Sequence, residues 1–494
     1  MIRIVLHEPV VTAHAAVFRW EVEPESPLYR AQEFHLRFPP TLPLGAVPVA
    51  LWRTVALLCL HSHWTLLRPC RVELPWALAH GEREFWLRLC DAAVATLEAS
   101  RGGRDVARAI ELWDDGPRAA PQPPPPDDGG SVTAFSGGKD SLLQLGLLAE
   151  LGQRPIAVMT TSPMPPMHDH VTPRRRALTA EVVRRRQLEL VEVHSDLRAA
   201  WHNDFARLRG HTIAVNEISD TFLYLASALV VAFVRGAPRV FLASEAELQE
   251  TVVRDGFVVQ HPHFMYSAVT QCALDALLSR HGLRYGSTNY PLRSGQVQRL
   301  LWTRYHDLRD LQYSCWRVGP DDAACSACAQ CLRVALTALS AGGDPAVMGI
   351  DLLRLLPALR DWAPAEPSGD DLPDDRVKAS LHGHVVRELR AVSPLLVARR
   401  LAAGAPGRLL DRRVVAALRS YAALRRRVLA RGAALPAPGY RRAYLALVDE
   451  RLRDGLAAIF DGVFESADAA DDAAALARTR HLAAWITAPL MEAT

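Results

Sequence analysis

Lysine is nearly missing from this 494-residue chain: of 57 basic residues only Lys139 and Lys378 are lysines, and the other 55 are arginines. A lysine kept against that background points to chemistry that needs a compact, mobile ammonium and that a guanidinium cannot supply. Strong net charge is missing too, and +3 over this length argues neither for nor against a nucleic-acid partner. So is an unbroken apolar span. The longest apolar stretch, Val47 to Leu67, contains Arg53, His61 and His63, which predicts a buried helix and no membrane. The start, Met1-Ile2-Arg3-Ile4-Val5-Leu6-His7, is too short and broken for a secretory h-region. A cytoplasmic, reducing location is therefore expected, which favours metal over disulfides for closely spaced cysteines. No internal repeat stands out. With 49% hydrophobic residues the chain should be globular and long enough for two or three cores.

The most informative segment that is present reads Phe135-Ser136-Gly137-Gly138-Lys139-Asp140-Ser141-Leu142. It lies between an apolar run ending at Ala134 and a leucine-rich helical pattern (Leu142, Leu143, Leu145, Leu147, Leu148). Two glycines let backbone N–H groups turn toward an anion, the helix start adds its positive end, and Lys139 adds a charge. The spacing is neither that of a Walker A loop nor of a dinucleotide-binding glycine turn. The plainer alternative is a polar strand-to-helix turn capped by Asp140 or Ser141.

Cys315, Cys325, Cys328 and Cys331 form the second cluster. Four thiolates at short loop spacings suit a closed tetrahedral Zn²⁺ site, structural and with no open position. An iron–sulfur cluster and unligated core cysteines are the alternatives. Cys59, Cys70, Cys90 and Cys272 are scattered in apolar contexts and are read as small core residues.

Two linkers divide the chain. Residues 1–117 carry alternating strands (Ile2, Ile4, Leu6; Phe18, Trp20, Val22; Phe34, Leu36, Phe38), two apolar helices and a short strand near Ile110 to Trp113, an N-terminal α+β domain. Its Trp52, Trp64, Trp76 and Trp86 are read as packing residues. The Pro/Gly linker 118–130 follows. Strand and helix then alternate: Ile156 to Thr160, a helix from Arg174, Leu188 to Val193, a helix from Glu217, and Val240 to Ala243. That order predicts an α/β core with a parallel sheet covered on both faces over 131–345. The arginine runs 174–176 and 184–186 are by default a solvated helix face, with tRNA as the alternative. An acidic, proline-broken linker near 363–375 precedes a helical C-terminal region within 346–494, read as a partner-binding or oligomerisation unit.

The Ser-Gly-Gly-x-Asp-Ser order of Ser136 to Ser141 resembles the PP-loop of the N-type ATP pyrophosphatases, whose core is adenine nucleotide alpha hydrolase-like. Combined with Ser314-Cys315-Trp316 and the Cys325-to-Arg333 run, in which Ser326 stands where a glycine is usual, it resembles the 7-cyano-7-deazaguanine synthase (QueC-like) family over about 131–345. That resemblance implies ATP bound by residues 135–142, with Lys139 and Asp140 catalytic and Asp140 helping to hold Mg²⁺. It implies adenylation of the carboxylate of 7-carboxy-7-deazaguanine with release of pyrophosphate, then attack by ammonia, and a second ATP to form the nitrile. QueC-like proteins with appended domains occur in antiphage defence operons, which makes a protein amine the alternative acceptor, presented by the N- or C-terminal segments. A PP-loop tRNA-modifying enzyme and a non-catalytic nucleotide-binding scaffold are the readings from other classes.

The departures bear on substrate contacts. Where the family carries Arg-Asn-Thr, this chain reads Ile218-Ser219-Asp220-Thr221-Phe222, so that only Thr221 and Phe222 keep the register. Tyr290-Pro291-Leu292 matches the family's Pro-Leu, without the lysine expected after it. Thr221 and Glu245 are the substrate candidates, Glu245 because a carboxylate suits the paired N–H donors of a guanine-like edge. Ser244 and Glu247 lie in the same loop, and His261 and His263 are left outside the site.

Overall fold

A computed structural model describes residues 1–100, 109–119, 124–125, 127, 129–163, 173–211, 214–246, 251–254, 257–260, 264–313, 315, 323–362, 385–403, 411–430, 439–466 and 470–491. Glu247, His261, His263, Ser314, Trp316, Lys378, the linker at 363–375 and part of that at 118–130 lie outside them.

Alternation sets the first strands. β1 (Ile2–Leu6), β3 (Ala15–Glu23) and β4 (Glu33–Arg37) bury every second side chain, among them Ile4, Leu6, Phe18, Trp20, Val22, Phe34 and Leu36, while charged residues face out. β2 (Val10–Val11) pairs with β3 alone. α1 (Val49–Leu67) is buried on almost every side, including His61 and His63, as a core helix should be. β5 (Cys70–Glu73), α2 (Glu82–Ser100) and β6 (Ile110–Trp113) complete this part. Trp52, Trp64, Trp76 and Trp86 are all buried, as expected of packing residues. Cys59, Cys70 and Cys90 are buried and Cys272 half-buried.

The next stretch alternates as predicted: β7 (Ser131–Ala134), α3 (Lys139–Glu150), β8 (Pro155–Thr161), α4 (Pro173–Arg186), β9 (Leu190–Ser195), α5 (Phe205–Leu208), α6 (Asn216–Val234) and β10 (Arg239–Phe241). A hairpin, β11 (Thr251–Arg254) and β12 (Phe257–Gln260), precedes α7 (Ala268–Leu278), β13 (Arg284–Gly286) and α8 (Ser294–Thr303). Strands β13-β10-β7-β8-β9 are parallel throughout.

The sheet does not stop there. β9 pairs antiparallel with β4, so that the order runs β13-β10-β7-β8-β9-β4-β3-β1-β5-β6 in one mixed, mostly parallel sheet of eleven strands. The molecule is therefore α/β, and residues 1–117 extend the same sheet that carries the glycine turn. Of the described helices, α6 alone is long and apolar enough to cross a bilayer, and it is buried against α1 and the sheet.

The later helices pack in three groups. α9 (Ala329–Ser340) and α10 (Leu352–Ala358) share a core with the helices Pro394–Ala402 and Arg412–Ala430 around the cysteines. Tyr440, Tyr444, Leu452, Leu456 and Phe460 pack against α3 and α8. The helix Ala470–Met491 reaches the N-terminal part, where the carbonyl of Trp485 accepts from Arg88 at 2.7 Å.

Candidate functional site

The order of successive parallel strands reverses at β7: β8 and β9 lie on one side of it, β10 and β13 on the other. At such a switch point, the loops leaving the carboxyl ends of neighbouring strands part and open a crevice. The turn 135–141 leaves β7 there and Ser244–Ala246 leave β10. Gly137 has φ +73°, a left-handed conformation that costs glycine nothing. Gly138 is the N-cap of α3, Lys139 begins the helix, and Phe135 and Leu142 anchor either end in the core.

The turn's hydroxyls engage its own backbone. Ser141 Oγ accepts from Ser136 N at 3.3 Å and donates to the carbonyl of Gly138 at 3.1 Å, while Ser136 Oγ accepts from Gly138 N at 3.3 Å.

Lys139 is 4% exposed and donates to Asp140 Oδ1 at 2.5 Å and to Glu245 Oε2 at 2.6 Å. Burial alone would lower its pKa, but the two carboxylates outweigh burial and the repulsion of nearby Arg333, and they hold the ammonium above its ordinary value. Lys139 and Asp140, expected from the glycine turn, thus meet Glu245, expected on a separate ground, at one point. Glu245 serves there as counter-ion to Lys139.

Thr221 is buried in the first turns of α6, where its N–H reaches Met265 Sδ at 3.4 Å. It joins the site indirectly. Met265 is followed by Tyr266, whose carbonyl accepts from Ser244 Oγ at 2.6 Å, one residue before Glu245.

Several residues at the crevice were not anticipated. Asn289, after β13, donates from Nδ2 to the carbonyl of Asp140 at 3.0 Å. Arg198, after β9, forks onto the Asp220 carboxylate, with Nε donating at 2.8 Å, and also reaches Tyr224 Oη and the carbonyl of Ser162. The helix start lacks an arginine, yet Arg198 brings a buried guanidinium to it from the neighbouring strand end. Arg441 donates its backbone N–H to the carbonyl of Pro291 at 2.8 Å and its side chain to that of Ala246 at 3.4 Å, so the C-terminal region braces the loops after β10 and β13. Of these groups only Arg198, just past the apolar pattern of β9, carried a signal in the sequence.

The arginine runs on α4 are not a free basic face. Arg176 pairs with Glu192, Arg184 and Arg185 with Glu181, Arg185 also with Asp310, and Arg186 with Asp307.

Cys315, Cys325, Cys328 and Cys331 converge with all four Sγ atoms within 4.8 Å of one another. Cys331 lies 3.5 Å from Cys328, 3.7 Å from Cys315 and 3.8 Å from Cys325. A tetrahedral ion with metal–sulfur bonds of about 2.3 Å sets its sulfurs about 3.8 Å apart, so the set could hold one metal ion such as zinc. Contacts with Cys315 and Cys331 pull the Cys328 thiol below its ordinary value.

Ser326, in the position of the usual glycine, has φ +49°, a left-handed conformation uncommon for a serine. Its hydroxyl accepts from Asp351 N at 2.9 Å, tying the knuckle to the cap of α10. Ser326→Ala should keep the strain and orphan that N–H, costing about 1–2 kcal/mol. Ser326→Gly loses the same bond but relaxes the backbone, and should stay within about 1 kcal/mol of the parent in urea unfolding.

Turn and knot are connected. Tyr313, two residues before Cys315, donates its backbone N–H to the carbonyl of Gly137 at 2.7 Å. No protein-family model matches this sequence, and no curated protein or solved structure matches it significantly.

Proposed function

We propose that this chain is an ATP-dependent carbon–nitrogen ligase with a PP-loop core, which adenylates the carboxylate of 7-carboxy-7-deazaguanine and passes the acyl group to nitrogen. The observation that carries this reading is the meeting of Lys139, Asp140 and Glu245 at a glycine turn that begins a helix at the sheet's switch point. Backbone N–H groups of Gly137 and Lys139, the positive end of α3 and the Lys139 ammonium suit a pyrophosphate. Forming the acyl adenylate turns a poor leaving group, oxide, into AMP, and needs no side-chain nucleophile. Asp140, about one-third exposed, would hold Mg²⁺, which offsets charge on the phosphates when bound.

The short S···S distances support zinc at the cysteines over an iron–sulfur cluster, which spreads its thiolates over separate irons. A structural ion there fits the link to the turn through Tyr313 and Gly137. The ion pairs on α4 weigh against docking tRNA through that helix. The bracing of the loops by Arg441 supports the alternative acceptor, a protein amine held by the appended segments. A cytoplasmic location goes with this chemistry.

The test is mass spectrometry of the products from ATP, Mg²⁺ and 7-carboxy-7-deazaguanine, with ammonium or a partner protein added separately. AMP with amide or nitrile supports the free ligase, and a mass added to the partner supports conjugation. No AMP in either case rejects the deazapurine reading.

Glu245 has two calls on its carboxylate, Lys139 and a guanine-like edge. Glu245→Gln keeps the shape but loses the charge. The KM for the heterocycle should rise about tenfold to a hundredfold, with the KM for ATP little changed, measured by AMP release under varied substrate.

A further inference from the structure

We propose that the outward face of the helix Arg412–Ala430 docks on the phosphate backbone of B-form duplex DNA, a function independent of the ATP chemistry. The described stretches 385–403 and 411–430 carry ten arginines against Glu388 and Asp411, a net +8 where the whole chain has +3. Arg412, Arg419 and Arg426 recur every seventh residue, on one side of the helix and exposed, with Ala416 and Ala423 between them. Opposite them Val414, Ala417, Tyr421, Leu424 and Val428 are buried. The neighbouring charges are already engaged: Arg413 with Asp411, Arg427 with Asp361, and Arg425 with the carbonyl of Leu389. Among the described residues Arg412, Arg419 and Arg426 have no acidic partner, in contrast to the arginines of α4.

Unpaired guanidiniums in a row fit phosphates, which they bind through two parallel N–H bonds each. Successive members of the stripe stand about 10.5 Å apart along the axis, at 1.5 Å per residue. With only alanine between the arginines the ridge is narrow, and a helix enters the roughly 12 Å major groove of B-DNA. A-form RNA offers no such groove. Single strands need exposed aromatics for stacking, and the only aromatic on this helix, Tyr421, is buried with its hydroxyl donated to the carbonyl of Val392 at 2.6 Å. An anionic bilayer needs a free apolar face, which this helix spends on the core around Leu355, Leu356 and Leu389.

The test is fluorescence anisotropy on the full-length protein with a DNA duplex of about 24 base pairs, an RNA duplex of equal length and phosphatidylserine vesicles, across a salt series. The parent should bind DNA with micromolar affinity and without sequence preference. R412E/R419E/R426E should bind at least about tenfold more weakly, and its log–log salt slope should fall by about 2.7, or 0.9 for each lost contact. R412K/R419K/R426K should retain most of the affinity. Both variants should melt as the parent does and release AMP at the parent's rate if the ATP reading holds. No DNA binding at low salt, equal affinity of the charge-reversed variant, or binding of RNA or vesicles in preference to DNA would overturn the proposal.

Discussion

Lys139→Ala is expected to abolish AMP formation and also to destabilise the fold, and the two losses should be separable. The ammonium neutralises Asp140 and Glu245 at 2.5 and 2.6 Å from a site only 4% exposed. Removing it leaves two carboxylates facing a crevice with their counter-charge gone, and breaking one side of a buried pair costs about 3–5 kcal/mol. Asp140 is partly solvated, which places the expected cost toward the lower figure. Glu245→Gln in the same chain removes one of the stranded charges and should recover much of the stability, measured by urea unfolding of the single and double variants. Activity should not return, because no ammonium remains to meet charge developing on pyrophosphate; loss of such a group costs about a hundredfold to a thousandfold in rate. Lys139→Arg is the sharper probe. Its planar, delocalised fork cannot place one compact charge 2.5–2.6 Å from both Asp140 and Glu245 as the ammonium does, so it should keep charge yet fail to restore AMP release. A Lys139→Ala variant that folds and releases AMP normally would remove the basis of the ligase reading.

The lysine was conspicuous in the sequence because its context is local. Two glycines, a helix start and a preceding strand lie within ten residues, so the turn could be placed without knowing the fold. The cysteines were legible for the same reason, three of them being within seven residues of one another. Strands with an alternating pattern (β1, β3, β4) or flanked by long helices (β7, β8, β9) were equally plain. What escaped was whatever depends on distant segments meeting. The antiparallel pairing of Leu36 and Arg37 with Ser195 and His194 joins two stretches about 160 residues apart, and neither strand's pattern names its partner. β13 is three residues long with only Tyr285 buried, too short for any periodicity to register. Arg198 at Asp220, Asn289 at Asp140 and Arg441 at Ala246 are ordinary polar residues until the sheet places their loops at one edge. The arginine runs of α4 had the opposite fate: a conspicuous charge pattern turned out to be consumed by Glu181, Glu192, Asp307 and Asp310.

Metal removal should disable the proposed nucleotide site at a distance. Cys331 lies within 3.8 Å of each of the other three sulfurs, so Cys331→Ser should cost the knot its central ligand and lower metal affinity more than about a hundredfold, measured by metal content after dialysis against a chelator. A stripped site leaves three or four thiols half-buried in a core with Leu332, Leu336, Ile350 and Leu355, with nothing to hold the knuckle at Ser326 in its left-handed turn. The segment 323–333 should then open, visible as faster amide exchange there and in α9, while strands β7 to β10 stay protected. Because Tyr313 N–H holds the carbonyl of Gly137, the turn at Ser136 to Ser141 should loosen with it. Nucleotide affinity should fall about tenfold or more in the stripped protein, with no change in Lys139 or its partners, and return when Zn²⁺ is restored to the parent but not to Cys331→Ser. Full nucleotide affinity after complete stripping would mean that the cysteines staple only the C-terminal helices and that the bond between Tyr313 and Gly137 does not need them.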